Sequence, residues 1–330
     1  MKIIHEVNQL AYGGMERIVH DIIKFDKVND HAVLTYKDGP FRKEFEALNV
    51  PINVLNEETT MQLPADLLHI HTGGSNSQAA EDLAGEIPIV ETIHSPVRSM
   101  VSDKHVTRRI GVSDAVTRMN KNCSTILNGI DFERFAQENN YEELRAKYNI
   151  KPEQIVVGRC GRVARDKNVT DWLLACFYLQ AQGYDVVPFV IGGETEPGYL
   201  GRMKLVAECL PVKNVIWAGH QNNPGELLDV MDIFLYPSET EGFGLTFIEA
   251  MFRGIPVVTY KTDVTIDVLG GYSILTDVKD GIQGLVRGVQ TCMIQGVIDE
   301  MVPLAKDYVI SEFQAERMAQ DYQQLYESLL

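Results

Sequence analysis

The 330-residue chain has only five cysteines, Cys123, Cys160, Cys176, Cys209 and Cys292, and none of them falls in a Cys-x-x-Cys pair. Their scatter and odd number argue against a disulfide frame and a cysteine-based zinc site, and suit a reducing compartment. No apolar run approaches the roughly 18 residues of a membrane-spanning helix. The opening MKIIHEVNQL lacks the long apolar core and small-residue cleavage site of a signal peptide and reads as a strand, so a cytoplasmic protein is expected. Basic residues are also scarce: 30 Lys and Arg face 46 Asp and Glu, a formal charge of −16, which argues against a nucleic-acid binder. Those basic residues that gather between Arg98 and Lys121 (Arg98, Lys104, Arg108, Arg109, Arg118, Lys121) read first as a solvated face. The alternative is peripheral contact with the anionic inner face of a membrane, or with an acidic acceptor. Low-complexity tracts and long internal repeats are missing too, which sets aside solenoids and disordered arrays.

With 45% hydrophobic residues, the chain can build two ordinary domains, each with its own core. Apolar strand-like runs alternate with helix-period segments, the pattern of an α/β fold with parallel sheets. Strands are predicted at Lys2–Val7, Ala32–Thr35, Ile52–Leu55, Leu67–His71, Ile87–Thr92, Arg109–Val112 and Ser124–Leu127. Helices are predicted over Gly14–Lys24, Phe41–Leu48, Ser77–Leu83 and Asp114–Met119, with Asp114 as the cap of the last. The polar stretch Phe132–Lys147, with Pro152 soon after, reads as a linker. A second run of strands starts at Ile155–Cys160 and continues through Val186–Ile191, Val215–Ala218, Ile233–Tyr236, Pro256–Thr259 and Tyr272–Leu275. A single long helix is expected over Gly281–Gln295, and another in the last segment, where Phe313, Met318, Tyr322, Leu325 and Leu329 recur near a 3.6 period.

The most informative stretch is Tyr236–Val258, YPSETEGFGLTFIEAMFRGIPVV. A strand runs into a Pro-Ser loop, then Glu241, Gly242, Phe243 and Gly244, then a helix from about Leu245. Glycines at Gly242 and Gly244 allow a sharp turn and a close approach of backbone to ligand. The helix start offers unpaired N–H groups and a positive dipole end, which suit a phosphate. Glu249, four residues past Leu245, stands on the same helix face and suits a diol such as a ribose. A second signal follows the first strand of the second half: GRCGRVARDKN, Gly158–Asn168, where Arg162 and Lys167 can neutralise a diphosphate. The bland alternatives are a buried βαβ turn and two exposed cations.

These two blocks resemble the Glu-x7-Glu and Gly-Arg-x4-Lys motifs of retaining nucleotide-sugar glycosyltransferases of family 4 type. That resemblance implies the GT-B fold: α/β, with two Rossmann-like doubly wound parallel-sheet domains, an interdomain cleft and a C-terminal crossover helix. The implied division is an acceptor-side domain over 1–145, a donor-binding domain over 146–311, and helix 312–330 packing back on the first. By the same likeness Arg162 and Lys167 hold the donor pyrophosphate, Glu241 orients the donor sugar and Glu249 the ribose, with Gly242, Phe243, Gly244, Leu245 and Thr246 around the donor. The Gly13-Gly14 loop after the first strand resembles the family's glycine loop near the donor phosphates; a plain βα turn is its alternative. His94, in VETIHSP, matches a family histidine that touches the donor sugar; a structural histidine is the alternative. His69 and His71 share one strand face as two metal ligands do, but no third ligand stands out, and no metal or other cofactor is expected. Asp267 stands where the family has a glutamate.

The implied function is transfer of a sugar from a UDP- or GDP-sugar to a glycan, lipid-linked or small acceptor. The alternative is a catalytically silent nucleotide-sugar-binding subunit, which a short first half allows. RIGVSDAV and LNGID are weaker echoes of the same family.

Overall fold

The computed structural model describes residues 1–55, 64–135 and 140–330, and divides into two compact units, Met1–Asp131 with Phe313–Leu330, and Phe132–Glu312. The change of unit comes at the head of the polar stretch read as a linker; its residues 136–139 lie outside the described residues.

The first unit runs β1 (Lys2–Gln9), α1 (Gly14–Phe25), β2 (Asp30–Lys37), α2 (Arg42–Ala47), β3 (Ile52–Val54), β4 (Leu67–Thr72), α3 (Gln78–Asp82), β5 (Ile89–Ile93), β6 (Arg108–Gly111), α4 (Asp114–Met119) and β7 (Cys123–Thr125). The strands form a parallel sheet in the order β3-β2-β1-β4-β5-β6-β7. Every residue of β4 and β5 is buried, as in central parallel strands covered on both faces. On one side Val19 and Ile23 of α1 pack with Val7, Val33, Phe41 and Phe45; on the other Leu34, Leu68 and Ile70 pack with Ala79 and Ala80 of α3.

One local expectation is corrected. Ser113, not Asp114, caps α4: its backbone is extended and its hydroxyl accepts from Val116 N at 3.4 Å. Asp114 is already helical, and its carboxylate accepts from Thr125 Oγ1 at 2.6 Å instead.

The second unit runs α5 (Tyr141–Lys147), β8 (Ile155–Cys160), α6 (Val169–Ala181), β9 (Val186–Ile191), α7 (Tyr199–Cys209), β10 (Ile216–Gly219), α8 (Gly225–Leu228), β11 (Ile233–Leu235), α9 (Leu245–Phe252), β12 (Val257–Tyr260), α10 (Asp263–Leu269), β13 (Ile274–Thr276), α11 (Gly281–Cys292) and α12 (Gln295–Glu312). Its parallel sheet has the order β10-β9-β8-β11-β12-β13. Trp172, Leu173 and Leu179 of α6 and Leu285, Val286 and Val289 of α11 pack with Val157, Val190, Leu235 and Val258 of the sheet. The order reverses between β8 and β11, so the loops leaving their carboxyl ends diverge and open a crevice, the usual ligand seat of doubly wound sheets. The helix expected over Gly281–Gln295 is α11, which stops three residues early at Cys292; α12, from Gln295 with Pro303 in its interior, is a further helix that was not predicted. Helix α10, capped reciprocally by Thr262 and Thr265, is a further element that the strand-and-helix pattern did not predict.

The last helix, α13 (Ala315–Glu327), belongs to the first unit, where it packs on α1 and buries Met318, Ala319, Tyr322 and Tyr326. Ile130 and Gln314 bridge just before it. No helix among the described residues is long and apolar enough to cross a membrane.

Candidate functional site

Both motif blocks of the second unit lie at the β8/β11 switch point. The chain leaves β8 at Cys160, passes Arg162, and forms a short helical turn over Arg165–Lys167 that Asn168 closes in the left-handed region at φ 47°. That closure keeps Lys167 close to the β11–α9 loop. Its Nζ donates to Glu241 Oε1 at 2.8 Å and to the Thr240 carbonyl at 3.2 Å, and lies 3.5 Å from Asp166 Oδ2. Arg162 Nη2 donates to the same Asp166 oxygen at 2.9 Å. The two cations therefore converge on one anionic oxygen. Lys167 and Glu241 are largely enclosed, with side chains 11% and 14% exposed, whereas Arg162 is half exposed.

Two further contacts hold this loop. Asn168 Nδ2 donates to Glu239 Oε1 at 3.1 Å, a second tie between the blocks. Arg159, fully buried, stacks its guanidinium 4.9 Å from the Tyr236 ring centroid and donates through Nη2 to the Arg162 carbonyl at 3.3 Å. Burial lowers its pKa, and among the described residues its Nε and Nη1 have no hydrogen-bond partner.

Gly244 caps α9 at φ 86°, and a Cβ there would come within 2.4 Å of the Phe247 ring. Among the described residues no side chain caps this helix start; Phe247 N already donates to the Gly244 carbonyl at 3.0 Å, which leaves the N–H groups of Leu245 and Thr246 as the ones an anion could meet. Gly242 and Phe243 are buried in the loop before it. Glu249, one turn into α9, is 6% exposed, and its charge adds to burial in pushing up the Cys160 thiol at the end of β8. Asp267 lies on α10, half-buried.

The other predicted residues belong to the first unit. Gly13 and Gly14 are exposed at the start of α1, with Gly13 as its cap. A Cβ on Gly13 would meet Glu16 Oε2 at 2.4 Å; burial pushes the Glu16 carboxyl up to about 7. His94 follows β5, donates its backbone N–H to the Thr72 carbonyl at 2.9 Å, and is partly exposed. Burial of the ring lowers its pKa to about 3, so it works as a neutral hydrogen-bonding group.

His69 and His71 do have a third neighbour, which corrects the sequence reading. His5 on β1 pairs in register with His69, and the three rings bring nitrogens within 4.8 Å of one another, a spacing open to a metal ion. Their nitrogens are engaged with protein groups: His69 Nδ1 with Tyr326 Oη at 2.6 Å, His69 Nε2 with Thr92 Oγ1 at 2.7 Å, and His71 Nε2 with His5 Nδ1 at 3.1 Å. The basic stretch also changes on inspection. Arg109 is buried and donates to Glu91 at 2.8 Å, and it pairs with Asp103, while Arg98, Lys104, Arg108, Arg118 and Lys121 stay exposed.

Asp166, Arg159, His5 and His31 carry contacts that no motif singled out. Asp166 had a signal, an acid four residues after Arg162 and next to Lys167. The histidines had none, because strand register is not written in a single sequence.

Residues 140–296 match the family described as Glycosyl transferases group 1. The chain is 26% identical to N-acetyl-alpha-D-glucosaminyl L-malate synthase of Bacillus anthracis over an alignment covering 99% of this chain and 90% of that one. It is 29% identical to the capsular polysaccharide biosynthesis glycosyltransferase CapM of Staphylococcus aureus, across 52% of this chain and 44% of CapM's length. Among solved structures, Anabaena HepE in complex with UDP and glucose superposes over 100% of both chains with a TM-score of 0.85 at 20% identity. WaaG, a glycosyltransferase involved in lipopolysaccharide biosynthesis, gives a TM-score of 0.71 at 16% identity over 99% of each chain.

Proposed function

We propose that this chain is a GT-B glycosyltransferase of the family 4 type that moves a sugar from a UDP- or GDP-sugar to a glycan, lipid-linked or small acceptor, with retained anomeric configuration and no metal ion. The observation that carries this reading is the convergence of Arg162 and Lys167 on a single anionic oxygen, Asp166 Oδ2, beside the loop that leads into the uncapped start of α9. A donor diphosphate offers several such oxygens. As the glycosidic bond lengthens, negative charge grows on the diphosphate, and fixed cations with helix N–H groups stabilise that charge without reorganising; one such donor contributes about 2.7–4 kcal/mol to the barrier. In this reading Glu249 holds the ribose, Glu241 orients the donor sugar, and His94 hydrogen-bonds that sugar near the reacting carbon. The backbone around Gly242, Phe243, Gly244, Leu245 and Thr246 completes the donor seat.

The relatives' names support a role in polysaccharide or glycolipid assembly. Peripheral contact through the exposed part of the 98–121 region belongs to the same proposal. The test is incubation with UDP- and GDP-sugars and a panel of acceptors in the presence of EDTA, followed by NMR of the product. Nucleoside diphosphate release with a retained anomer is expected. An inverted anomer, or transfer abolished by EDTA, overturns the reading, and tight donor binding with no turnover on any acceptor turns it into that of a silent subunit.

A further inference from the structure

A file of imidazoles crosses the first unit's sheet, one strand at a time. Asp26, at the end of α1, has Oδ2 3.3 Å from His31 Nε2 on β2. His31 Nδ1 lies 3.0 Å from His5 Nε2 on β1, His5 Nδ1 lies 3.1 Å from His71 Nε2 on β4, and His71 Nδ1 lies 3.1 Å from His94 Nε2 just past β5. The strands β2, β1, β4 and β5 are consecutive in the sheet, and the register puts these side chains on one face. His5 and His71 are buried, as are the His31 ring and the Asp26 carboxylate. His69 stands beside the file, tied to Tyr326 and Thr92.

We propose that this file is a positioning device that fixes the tautomer of His94, with the Asp26 carboxylate setting its direction. The inference rests on the role given to His94 in the proposed transfer. A neutral imidazole has one N–H and one lone pair, so each hydrogen bond in the file dictates the next. An ionised carboxylate only accepts, so a neutral His31 beside it carries its proton on Nε2 and accepts at Nδ1; the 3.3 Å approach acts through charge, since His31 Nε2 has no hydrogen-bond partner among the described residues. His5 must then donate from Nε2 and accept at Nδ1, His71 likewise, and His94 donates inward from Nε2. His94 Nδ1 is left as the acceptor end of the file, able to take a hydrogen bond from a sugar hydroxyl. Two observations support the charge states. Burial lowers the pKa of His5, His71 and His94, and Asp26 is held well below the usual carboxylate range despite its burial, by His31, Asn29 and Val28.

The distribution of partners on Asp26 gives a sharp test. Oδ1 accepts from Val28 N at 3.0 Å and Asn29 N at 3.2 Å, so in Asp26→Asn the amide oxygen stays on that side. The amide nitrogen then takes the place of Oδ2, which accepts from Asn29 Nδ2 at 2.7 Å; the Asn29 amide turns its unpartnered Oδ1 to it, the second N–H faces His31 Nε2 and donates to it, and the whole file reverses. Long-range 1H–15N spectra of 15N-histidine-labelled protein read the tautomers directly. Nε2–H is expected at His31, His5, His71 and His94 in the wild type, and Nδ1–H at all four in Asp26→Asn. In transfer assays Asp26→Asn should lower kcat by about tenfold or more with KM within about twofold. His31→Gln, whose amide can donate to Asp26 and accept from His5, should retain the wild-type His94 tautomer. A merely structural role predicts lost stability with no change of tautomer, and that result overturns the proposal. So does a proton on Nδ1 of His94 in the wild type, which carries the test even if Asp26→Asn does not fold. Stoichiometric metal retained on His5, His69 and His71 also overturns it. The spectra do not depend on turnover, so a wild type that transfers no sugar would remove the functional reading and leave the tautomer result standing.

Discussion

Lys167 and Glu241, 74 residues apart in the chain, form a 2.8 Å ion pair that joins the loop after β8 to the loop before α9. Their motifs read separately as a pyrophosphate clamp and a sugar-orienting acid. The structure makes them one unit, because Lys167 also donates to the Thr240 carbonyl and faces the Asp166 carboxylate that Arg162 holds. Removing the ammonium therefore takes a cation from the anion seat and leaves Glu241 and Asp166 without it. Lys167→Ala should lower kcat by about 10²–10³-fold, the cost of one preorganised donor to developing charge. Steady-state transfer kinetics decide the point, and turnover near the wild-type value would reject the role.

Glu249 should behave differently. It lies inside α9, 6% exposed, and its proposed partner is the ribose, which does not change charge during transfer. Uniform binding of ground and transition states alters KM rather than kcat. A hydrogen bond to a charged group is worth about 1.5–3 kcal/mol, so Glu249→Ala should weaken nucleoside diphosphate binding by about tenfold to a hundredfold. Titration calorimetry with UDP and GDP measures this directly; affinity unchanged for both would remove Glu249 from the site.

Gly244 tests the helix start. Its φ of 86° lies where side chains are strained, and an added Cβ would press into the Phe247 ring at 2.4 Å. Gly244→Ala should cost about 1–3 kcal/mol of stability and loosen the first turn of α9. Chemical denaturation reports the first effect, and weaker diphosphate binding reports the second. A variant as stable as the wild type would mean that the turn is not under the constraint described.

Much of this was legible in advance, and the limits have physical causes. Runs such as Val186–Ile191 and Ile233–Tyr236 read as parallel strands because they are apolar on both faces. Arg162, Lys167, Glu241 and Glu249 stood out because their spacing is local. The helix expected over Gly281–Gln295 was found as α11, whereas α12 was not foreseen, because an interior proline such as Pro303 usually ends a helix. Arg109 was grouped with exposed cations, since its buried partner Glu91 is a neighbour only through the β5–β6 pairing. His5 and His31 went unnoticed for the same reason: only the order β2-β1-β4-β5 brings them to His71 and His94.

The pH dependence of stability offers the last test, and its sign can be worked out from one residue. Glu6 on β1 is 3% exposed, accepts from Ser77 Oγ at 2.7 Å, and is pushed up to about 7 from its ordinary 4.5, chiefly by burial. Between those values the folded state holds a proton that the unfolded state releases, so stability falls as pH rises through that window and stays reduced above it. The difference is on the order of 3 kcal/mol at about 1.36 kcal/mol per unit. Glu6→Gln carries no charge to desolvate. Its chemical-denaturation stability should match the wild type near pH 4 and exceed it by up to that amount at pH 8. The buried histidines act on the other side: His5, His69 and His71 are held neutral by burial, so protonation of the unfolded chain below about 6.5 favours unfolding in wild type and variant alike. The wild type should therefore be most stable in mildly acidic to neutral buffer, and Glu6→Gln should extend that plateau upward. An equal gain at pH 4 and pH 8 would show that Gln acts through packing rather than through the carboxyl's ionisation.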